Sequence, residues 1–235
     1  MEMGVNILCS RPLHLCHNAT RSMTPLPRHQ CLIYEGPPSR HLAMLAMILR
    51  QKLQQNFRCL YLNSIPMVAS MRSCLAAAGV DIAQEVESGN LELTSDRQHL
   101  IDGTHFDAER LMQMLEDALN QALVDGYAGL WATGDMTWEF GPEKDFSKLL
   151  DYEWRLEEFF RTHAQIGGIC QYHADTLPRT AVREGLQAHR GLFVTETLSL
   201  LNPHYCAPEN FPPAAGSELE VDAFLDRLCS AGPAH

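Results

Sequence analysis

The chain has 235 residues, of which 46% are hydrophobic, and carries a formal net charge of -11 at pH 7. It is long enough for one sizeable core, and its acidic balance argues against nucleic acid or an anionic membrane as the main partner. No apolar run reaches the roughly 18 residues of a membrane span, and residues 1–27 lack the apolar segment of a secretory signal, so we expect a cytoplasmic protein.

The first half of the chain alternates strand and helix patterns. Residues 1–27 contain three prolines and no sustained periodicity, which predicts a flexible arm. Three strands are predicted, at 29–35, 57–62 and 91–94. Two helices lie between them, one after Ser39 and one at 68–78, and a loop is expected at 96–106.

The second half repeats this alternation. Asp107 caps a long helix that ends at Gly126. The remaining predicted elements are a strand at 129–133, a loop, a helix at 146–161, a strand at 166–172, a helix at 179–189, a hairpin-like pair at 192–195 and 198–201, and a short helix at 221–228. Strands that alternate with long helices indicate an α/β fold with three layers, a mostly parallel sheet and an antiparallel C-terminal edge.

The first strand-to-helix turn decides whether the chain has a phosphate-binding loop. A P-loop needs glycines that expose backbone N–H groups and a lysine that neutralises phosphate. Here the turn, residues 35–41, has one glycine, two prolines without N–H groups and no lysine. Neither a dinucleotide fingerprint nor a serine nucleophile elbow occurs elsewhere, so we expect no enzyme and no catalytic residues.

A carboxylate and a tryptophan follow the predicted strand at 129–133. Ligands of open α/β sheets bind beyond the carboxyl ends of the strands, where Asp135, Met136 and Trp138 would lie. The alternative is structural, with Asp135 capping a helix and Trp138 in the core.

Glu153 is the most informative charged residue of the sequence. It falls four residues after Leu149 and three after Leu150, on the apolar face of its helix. A buried carboxylate is costly unless it is paired. Glu153 therefore either anchors a ligand, in which case its pKa should be raised, or belongs to a structural ion pair.

Two strands each direct a pair of reactive side chains to one face. His29 and Cys31 alternate along the first strand, and Cys170 and Tyr172 do so along the fifth. If the strands are neighbours, these groups cluster and could bind a metal. Packing is the preferred interpretation, because buried cysteine behaves as a small hydrophobe. The cysteines and histidines of residues 9–17 fit no standard zinc module, so we expect no metal and no cofactor.

Several short motifs, in order and spacing, resemble the MEDS domain, the sensory domain named for methanogens, methylotrophs and the dichloromethane-responsive repressor. The resemblance covers about residues 28–212, which leaves an arm at 1–27 and a tail at 213–235. The matching motifs are His29-Gln-Cys31-Leu-Ile-Tyr34, Gly103-Thr-His-Phe106-Asp107, Gly126-Tyr-Ala-Gly129-Leu, Gly134-Asp135-Met136-Thr137-Trp138, Asp151-Tyr152-Glu153, Cys170-Gln171-Tyr172, His189 and Asn202-Pro203-His204-Tyr205.

The resemblance implies a RecA-like or KaiC-like domain that has lost its phosphate loop and senses small organic molecules derived from hydrocarbons. It also implies a regulated partner, such as a histidine kinase or a transcription regulator. Two positions depart from the family pattern: His173 replaces the usual aspartate after the Cys-x-Tyr motif, and Arg190 replaces the usual proline after the late histidine.

The sequence therefore predicts a cytoplasmic, non-catalytic sensory domain that regulates a partner and can form a homo-oligomer. Tyr34 and Trp138 would form apolar walls, and Asp135, Glu153 and His29 polar anchors. The rival interpretations are a ligand-independent protein-interaction module and a degenerate nucleotide-binding domain. The complete set of predicted ligand-binding residues is His29, Cys31, Tyr34, Glu35, Asp135, Met136, Trp138, Glu153, Cys170, Tyr172 and His189.

Overall fold

The computed structural model describes residues 27–211 and 217–230. A seven-stranded sheet runs through this part of the chain in the order β3-β2-β6-β7-β1-β8-β9, and β4 and β5 form a separate small hairpin. The strands are β1 (His29–Tyr34), β2 (Phe57–Leu62), β3 (Leu91–Thr94), β4 (Leu100–Ile101), β5 (His105–Phe106), β6 (Gly129–Asp135), β7 (Ile166–His173), β8 (Gly191–Thr195) and β9 (Leu198–Leu201).

Eight α-helices are described over the same residues, and short 3-10 turns at Phe146–Lys148 and Pro208–Asn210 accompany them. The helices are α1 (Ser39–Gln54), α2 (Ile65–Ala77), α3 (Ile82–Glu87), α4 (Ala108–Val124), α5 (Met136–Glu139), α6 (Leu149–Thr162), α7 (Arg179–Ala188) and α8 (Ser217–Ser230). None of these described helices is long and apolar enough to cross a membrane.

The sheet separates two hydrophobic cores. One core lies between the sheet and α1 and α2, and it takes Leu32 and Ile169 from the central strands. The other lies beneath α4 to α8 and takes Cys31 and Cys170 from the same strands. Successive strand residues point to opposite faces, so both faces of these strands are buried, as parallel sheets require.

The predicted α/β class is confirmed. All neighbouring strands of the large sheet pair in parallel except β8 and β9, which form its antiparallel edge. The RecA-like or KaiC-like relationship implied by the resemblance stays a prediction, as does the division into arm, domain and tail. The predicted arm at 1–27 lies outside the described residues except for Pro27.

Several element boundaries differ from those predicted. The elements α3, α5, β4 and β5 were not predicted, because elements of two to six residues are too short to display a period. The helix predicted at 68–78 begins earlier, at Ile65, because Pro66 occupies its first turn. The helix predicted at 221–228 extends over Ser217–Ser230 and buries Val221 and Leu225 in the core beneath α7.

The position of β1 creates a crevice at the carboxyl edge of the sheet. β1 lies between β7 and β8, but the chain leaves it through α1, on the opposite face from the helices that follow β6 and β7. The connections on either side therefore diverge, which is the geometry of ligand crevices in open α/β sheets.

Candidate functional site

Most of the predicted site residues fall into two separate groups rather than one pocket. Tyr34, Asp135 and Trp138 line the crevice at the carboxyl edge of the sheet. His29, Glu153 and their neighbours lie in a buried cluster beneath α6 and α7. The expectation that Glu153 and His29 anchor the same ligand as Trp138 is therefore not met by the geometry. His29 opens β1, whereas Tyr34 closes it, and five residues of strand span about 16 Å.

The crevice has a volume of about 480 Å³. Asp135 lies at the end of β6, and its Oδ1 accepts a hydrogen bond of 2.9 Å from the backbone N–H of Trp138, which caps α5. Burial raises the pKa of the Asp135 carboxyl above its usual value, and this N–H offsets the rise in part. Asp135 thus caps a helix and Trp138 packs in the core, as the structural interpretation predicted. Both residues also line the crevice.

Tyr34 forms the opposite side of the crevice. Its ring stacks on His173 with centroids 4.9 Å apart and contacts His41 at 4.5 Å. His173, the residue that departs from the family pattern, also lies with Nε2 2.9 Å from the carbonyl oxygen of Gly36 in the first strand-to-helix turn. This histidine therefore joins the end of β7 to the turn after β1.

Two predicted site residues, Met136 and Glu35, belong to neither group. Met136 is buried in the core at 1% exposure, and Glu35 is exposed and directed to Cys229 of α8. Both follow a strand directly, so strand-end position alone did not distinguish them from Tyr34 and Asp135. A smaller cavity of about 280 Å³ between α4 and the edge of the sheet contains none of the predicted residues.

The buried cluster forms because β1 and β7 are neighbours, as the sequence analysis required. Cys31 pairs with Cys170 in the register of these strands, and His29 pairs with Gly168. His29, Cys170 and Tyr172 point to the face covered by α6 and α7, and each is 8% exposed or less. Nε2 of His29 lies 3.4 Å from Sγ of Cys170.

Two helices complete the cluster. Glu153 lies in the middle of α6, and His189 lies directly after α7. Neither residue has any exposed surface. Oε2 of Glu153 is 3.4 Å from Nε2 of His29 and 3.4 Å from Nε2 of His189, while Oε1 accepts a hydrogen bond from the Tyr172 hydroxyl. The carboxylate is therefore partnered on both oxygens.

The outer nitrogen of each histidine is also engaged. Nδ1 of His29 lies 3.0 Å from Oε2 of Glu157, one turn after Glu153 on α6. Nδ1 of His189 lies 2.7 Å from the carbonyl oxygen of Gly185, to which it donates. Arg190, which replaces the family proline, places Nε 2.9 Å from Oε1 of Glu157. Arg190 thus supports the cluster from its solvent side.

These contacts set the protonation of the cluster. Burial favours the neutral form of Glu153, but the charges of His189 and His29 and the hydrogen bonds from His29 and Tyr172 lower its pKa overall. Burial opposes the charged form of His29 too, yet Glu153 and Glu157 raise its pKa. For His189, burial and the neighbouring His29 lower the pKa to about 4. Burial raises the pKa of the Cys170 thiol well above its usual value.

Several residues of both groups were not predicted from the sequence. Glu139 is buried beneath Gly134, accepts a hydrogen bond from Tyr152, and has its pKa raised well above normal by burial and by the charge of Glu153. No periodic signal exists within the four residues of α5. Glu157 could have been predicted, because it follows Glu153 by one helical turn and therefore lies on the same face of the helix. Arg97 and Lys144, which line the crevice, lie in loops without a pattern.

The two groups offer different chemistry. The cluster brings two imidazole nitrogens, a carboxylate oxygen and a thiol sulfur within 4.8 Å of one another, without solvent access. The crevice offers aromatic faces, one carboxylate and two cationic side chains around an open volume. The crevice is open to a small molecule, whereas the four donors of the cluster are buried close together.

Comparison with known proteins agrees with the resemblance found in the sequence. No curated protein sequence matches the chain significantly. Among solved structures, the fold is similar to that of the uncharacterized protein PH0321 from Pyrococcus horikoshii, crystallised in complex with an unknown peptide. That similarity has a TM-score of 0.55 at 15% identity over 76% of this chain and 84% of that chain, and it shows the fold alone.

The family comparison is more specific. The model of the MEDS family, the MEthanogen/methylotroph, DcmR Sensory domain, matches residues 28–190. That range begins at β1 and ends after α7, so it contains the crevice strands and all four donors of the buried cluster. The chain therefore belongs to the MEDS family of sensory domains.

Proposed function

We propose that this chain is a non-catalytic sensory domain that binds a small organic molecule in the crevice between β1, β6 and β7 and thereby regulates a partner protein. The observation that carries this proposal is the crevice itself, about 480 Å³ at the carboxyl edge of the sheet. An apolar cleft with a few convergent polar groups is the usual form of a small-molecule site.

The lining residues favour a hydrocarbon-derived ligand with one polar group. Tyr34 and Trp138 supply aromatic walls, and the guanidinium of Arg97 lies 5.4 Å from the centre of the Trp138 ring. Nε of Arg97 is buried and has no hydrogen-bond partner among the described residues. Asp135 places a carboxyl group on the other side of the crevice from Arg97.

Thermal unfolding with a panel of dichloromethane, short alcohols and short carboxylic acids tests this proposal. A compound that binds the folded protein stabilises it, by about 2.7 kcal/mol at a concentration 100 times its dissociation constant. We expect Trp138→Phe to weaken the stabilisation, because part of the aromatic wall is lost. Asp135→Asn keeps a capping side chain and removes its charge.

The matched control is Trp154→Phe, because Trp154 lies on α6 away from the crevice and donates to the carbonyl oxygen of Cys206. It should retain the full ligand effect. A panel compound that stabilises Trp138→Phe as strongly as the wild type would contradict a ligand site in the crevice.

A second candidate, a protein-interaction module, is supported by the β9 edge of the sheet. Leu198, Leu200 and Leu201 are 45%, 43% and 60% exposed, and no described strand pairs with the outer edge of β9. Exposed strand edges with apolar side chains are sites of strand pairing between chains. Self-association that is lost in Leu200→Lys, measured by light scattering, would favour this candidate.

A further inference from the structure

Four potential metal donors converge in the buried cluster. They are Nε2 of His29, Oε2 of Glu153, Sγ of Cys170 and Nε2 of His189, and all lie within 4.8 Å of one another. They come from β1, α6, β7 and the residue after α7, so the tertiary fold, rather than one local motif, brings them together.

Four of the six donor-to-donor distances match those of a tetrahedral ion site, and all six are within 4.8 Å. Nε2 of His29 is 3.4 Å from Oε2 of Glu153 and 3.4 Å from Sγ of Cys170. Oε2 of Glu153 is also 3.4 Å from Nε2 of His189 and 3.7 Å from Sγ of Cys170. In a tetrahedral zinc site with nitrogen, oxygen and sulfur donors, adjacent donors lie about 3.3–3.7 Å apart.

Outer hydrogen bonds orient both imidazoles towards the centre. Nδ1 of His29 faces the carboxylate of Glu157 at 3.0 Å, and Nδ1 of His189 faces the carbonyl oxygen of Gly185 at 2.7 Å. Each Nδ1 therefore holds a hydrogen and each Nε2 is directed inward. A ring N–H given to a carboxylate or a backbone carbonyl is the usual support of a metal-binding histidine.

An outer hydrogen bond also orients the carboxylate of Glu153. Oε1 of Glu153 accepts a hydrogen bond from the Tyr172 hydroxyl, which leaves Oε2 to face the two histidines and the thiol. Three of the four donors thus have an outer partner that fixes their direction. Packing alone does not require this arrangement, because a buried histidine or carboxylate needs partners but no common focus.

One atom distinguishes an ion site from a closed hydrogen-bonded cluster. Nε2 of His189 is fully buried and has no hydrogen-bond partner among the described residues, although Oε2 of Glu153 lies only 3.4 Å away. With the hydrogen of His189 on Nδ1, both of these atoms are acceptors. A proton shared by His29 and Glu153 would pair only those two residues and leave His189 without a partner. A cation at the centre would pair with all four donors.

We propose that His29, Glu153, Cys170 and His189 bind one divalent transition-metal ion, with Zn²⁺ the best fit to the set of two nitrogens, one oxygen and one sulfur. Zinc takes these donors in tetrahedral geometry, and four protein ligands make a closed site of the structural type. The thiol of Cys170 loses its proton to solvent on binding, so carboxylate and thiolate balance the charge of the ion.

The proposed site differs from the expectation of no metal drawn from the sequence. That expectation considered His29, Cys31, Cys170 and Tyr172 as donors, because they alternate on two strands. Only two of these residues belong to the set of four, and the other two donors come from α6 and from the residue after α7. Cys31 pairs with Cys170 in the strand register and the Tyr172 hydroxyl donates to Glu153, so both residues lie beside the site.

Zinc content and affinity of the full-length chain test the proposal. The wild type should retain one zinc ion per chain after purification and rebind one after chelation. Cys170→Ser should lose more than about 100-fold in zinc affinity, beyond the loss typical of removing an outer partner. The matched control is Cys59→Ser, a buried cysteine on the other face of the sheet, which should bind zinc like the wild type.

Two further arms make the test decisive. Cys9→Ser/Cys16→Ser removes the N-terminal thiols and should keep the ion. Co²⁺ loading of the unmutated protein should give thiolate-to-cobalt charge-transfer absorption with tetrahedral d–d bands, so the test does not depend on the folding of Cys170→Ser. A wild type that binds neither ion, a cobalt spectrum without the thiolate band, or equal zinc affinity in folded Cys170→Ser would each overturn the proposal.

Discussion

Glu153 shows how far sequence reasoning reaches at the scale of one residue. Its position relative to Leu149 and Leu150 predicted burial, and the structure gives it no exposed surface. The choice between a ligand anchor and an ion pair depended on partners that are distant in sequence. The structure favours the ion pair, because His189 and His29 lower the pKa of Glu153, whereas an unpaired anchor would have a raised pKa.

Replacing Glu153 by glutamine should therefore destabilise the protein. In the metal-free protein, the change keeps the shape of the side chain and leaves buried His29 without its main counter-charge, which should cost roughly 3–5 kcal/mol. Urea unfolding at pH 7 in the presence of a chelator measures the loss. Glu158→Gln is the control on the same helix, because its exposed pairing with Arg161 should contribute nothing measurable. Equal stability of both variants would remove the ion-pair account of Glu153.

The turn between β1 and α1 is the element that bears on nucleotide chemistry. The backbone N–H of Gly36 donates to Oδ2 of Asp175 at 2.8 Å, and Pro37 and Pro38 have no N–H. A carboxylate thus occupies the place where a P-loop would present donors to phosphate. We expect no ATP hydrolysis by the full chain in a phosphate-release assay. Turnover of about 1 per second or more, in the usual enzyme range, would contradict this prediction.

Helix α8 is held to α7 by ion pairs that depend on pH. Nη2 of Arg183 lies 2.9 Å from Oδ2 of Asp222, and Nε of Arg179 lies 3.2 Å from its Oδ1. Partial burial raises the pKa of Asp222, but Arg183 and then Arg179 lower it overall. Because the folded pKa is depressed, the stabilisation is present above the unfolded pKa of about 3.9 and is lost as pH falls through the folded value.

Asp222→Asn should reproduce this loss at neutral pH. We expect faster amide hydrogen exchange over residues 217–230 in the variant than in the wild type, while the exchange of β1 stays unchanged. Asp226→Asn is the control, because Asp226 is 71% exposed and pairs only with Arg179 among the described ion pairs. Identical exchange in both variants would show that apolar contacts of Val221 and Leu225 hold the helix.

At the scale of the whole molecule, the alternation of strands and helices was sufficient to predict the α/β class. The order of strands was not predictable, because a period identifies a strand but not its neighbour. The distance between the crevice and the cluster depends on that strand order and on the length of β1. His29 and Tyr34 share a strand, yet they lie at its two ends and on opposite faces.

Elements without a period explain the rest of what was missed. The four residues of α5 gave no helical signal, so the burial of Glu139 could not be inferred. His189 entered the candidate set only through the family resemblance, since one histidine after a helix has no pattern of its own. Arg97 follows a strand through a loop, and its approach to Trp138 is a tertiary contact.

The central claim is that the crevice, and not the buried cluster, receives the small-molecule ligand. The three tryptophans of the chain allow one measurement of it, since Trp138 lines the crevice, Trp131 lies in the core beneath α1, and Trp154 lies on α6. Indole N–H resonances of ¹⁵N-tryptophan-labelled protein should be recorded while the most stabilising compound is added. We predict that the Trp138 signal shifts in proportion to occupancy while the other two stay in place. Saturable binding that leaves the Trp138 signal unchanged would contradict the account.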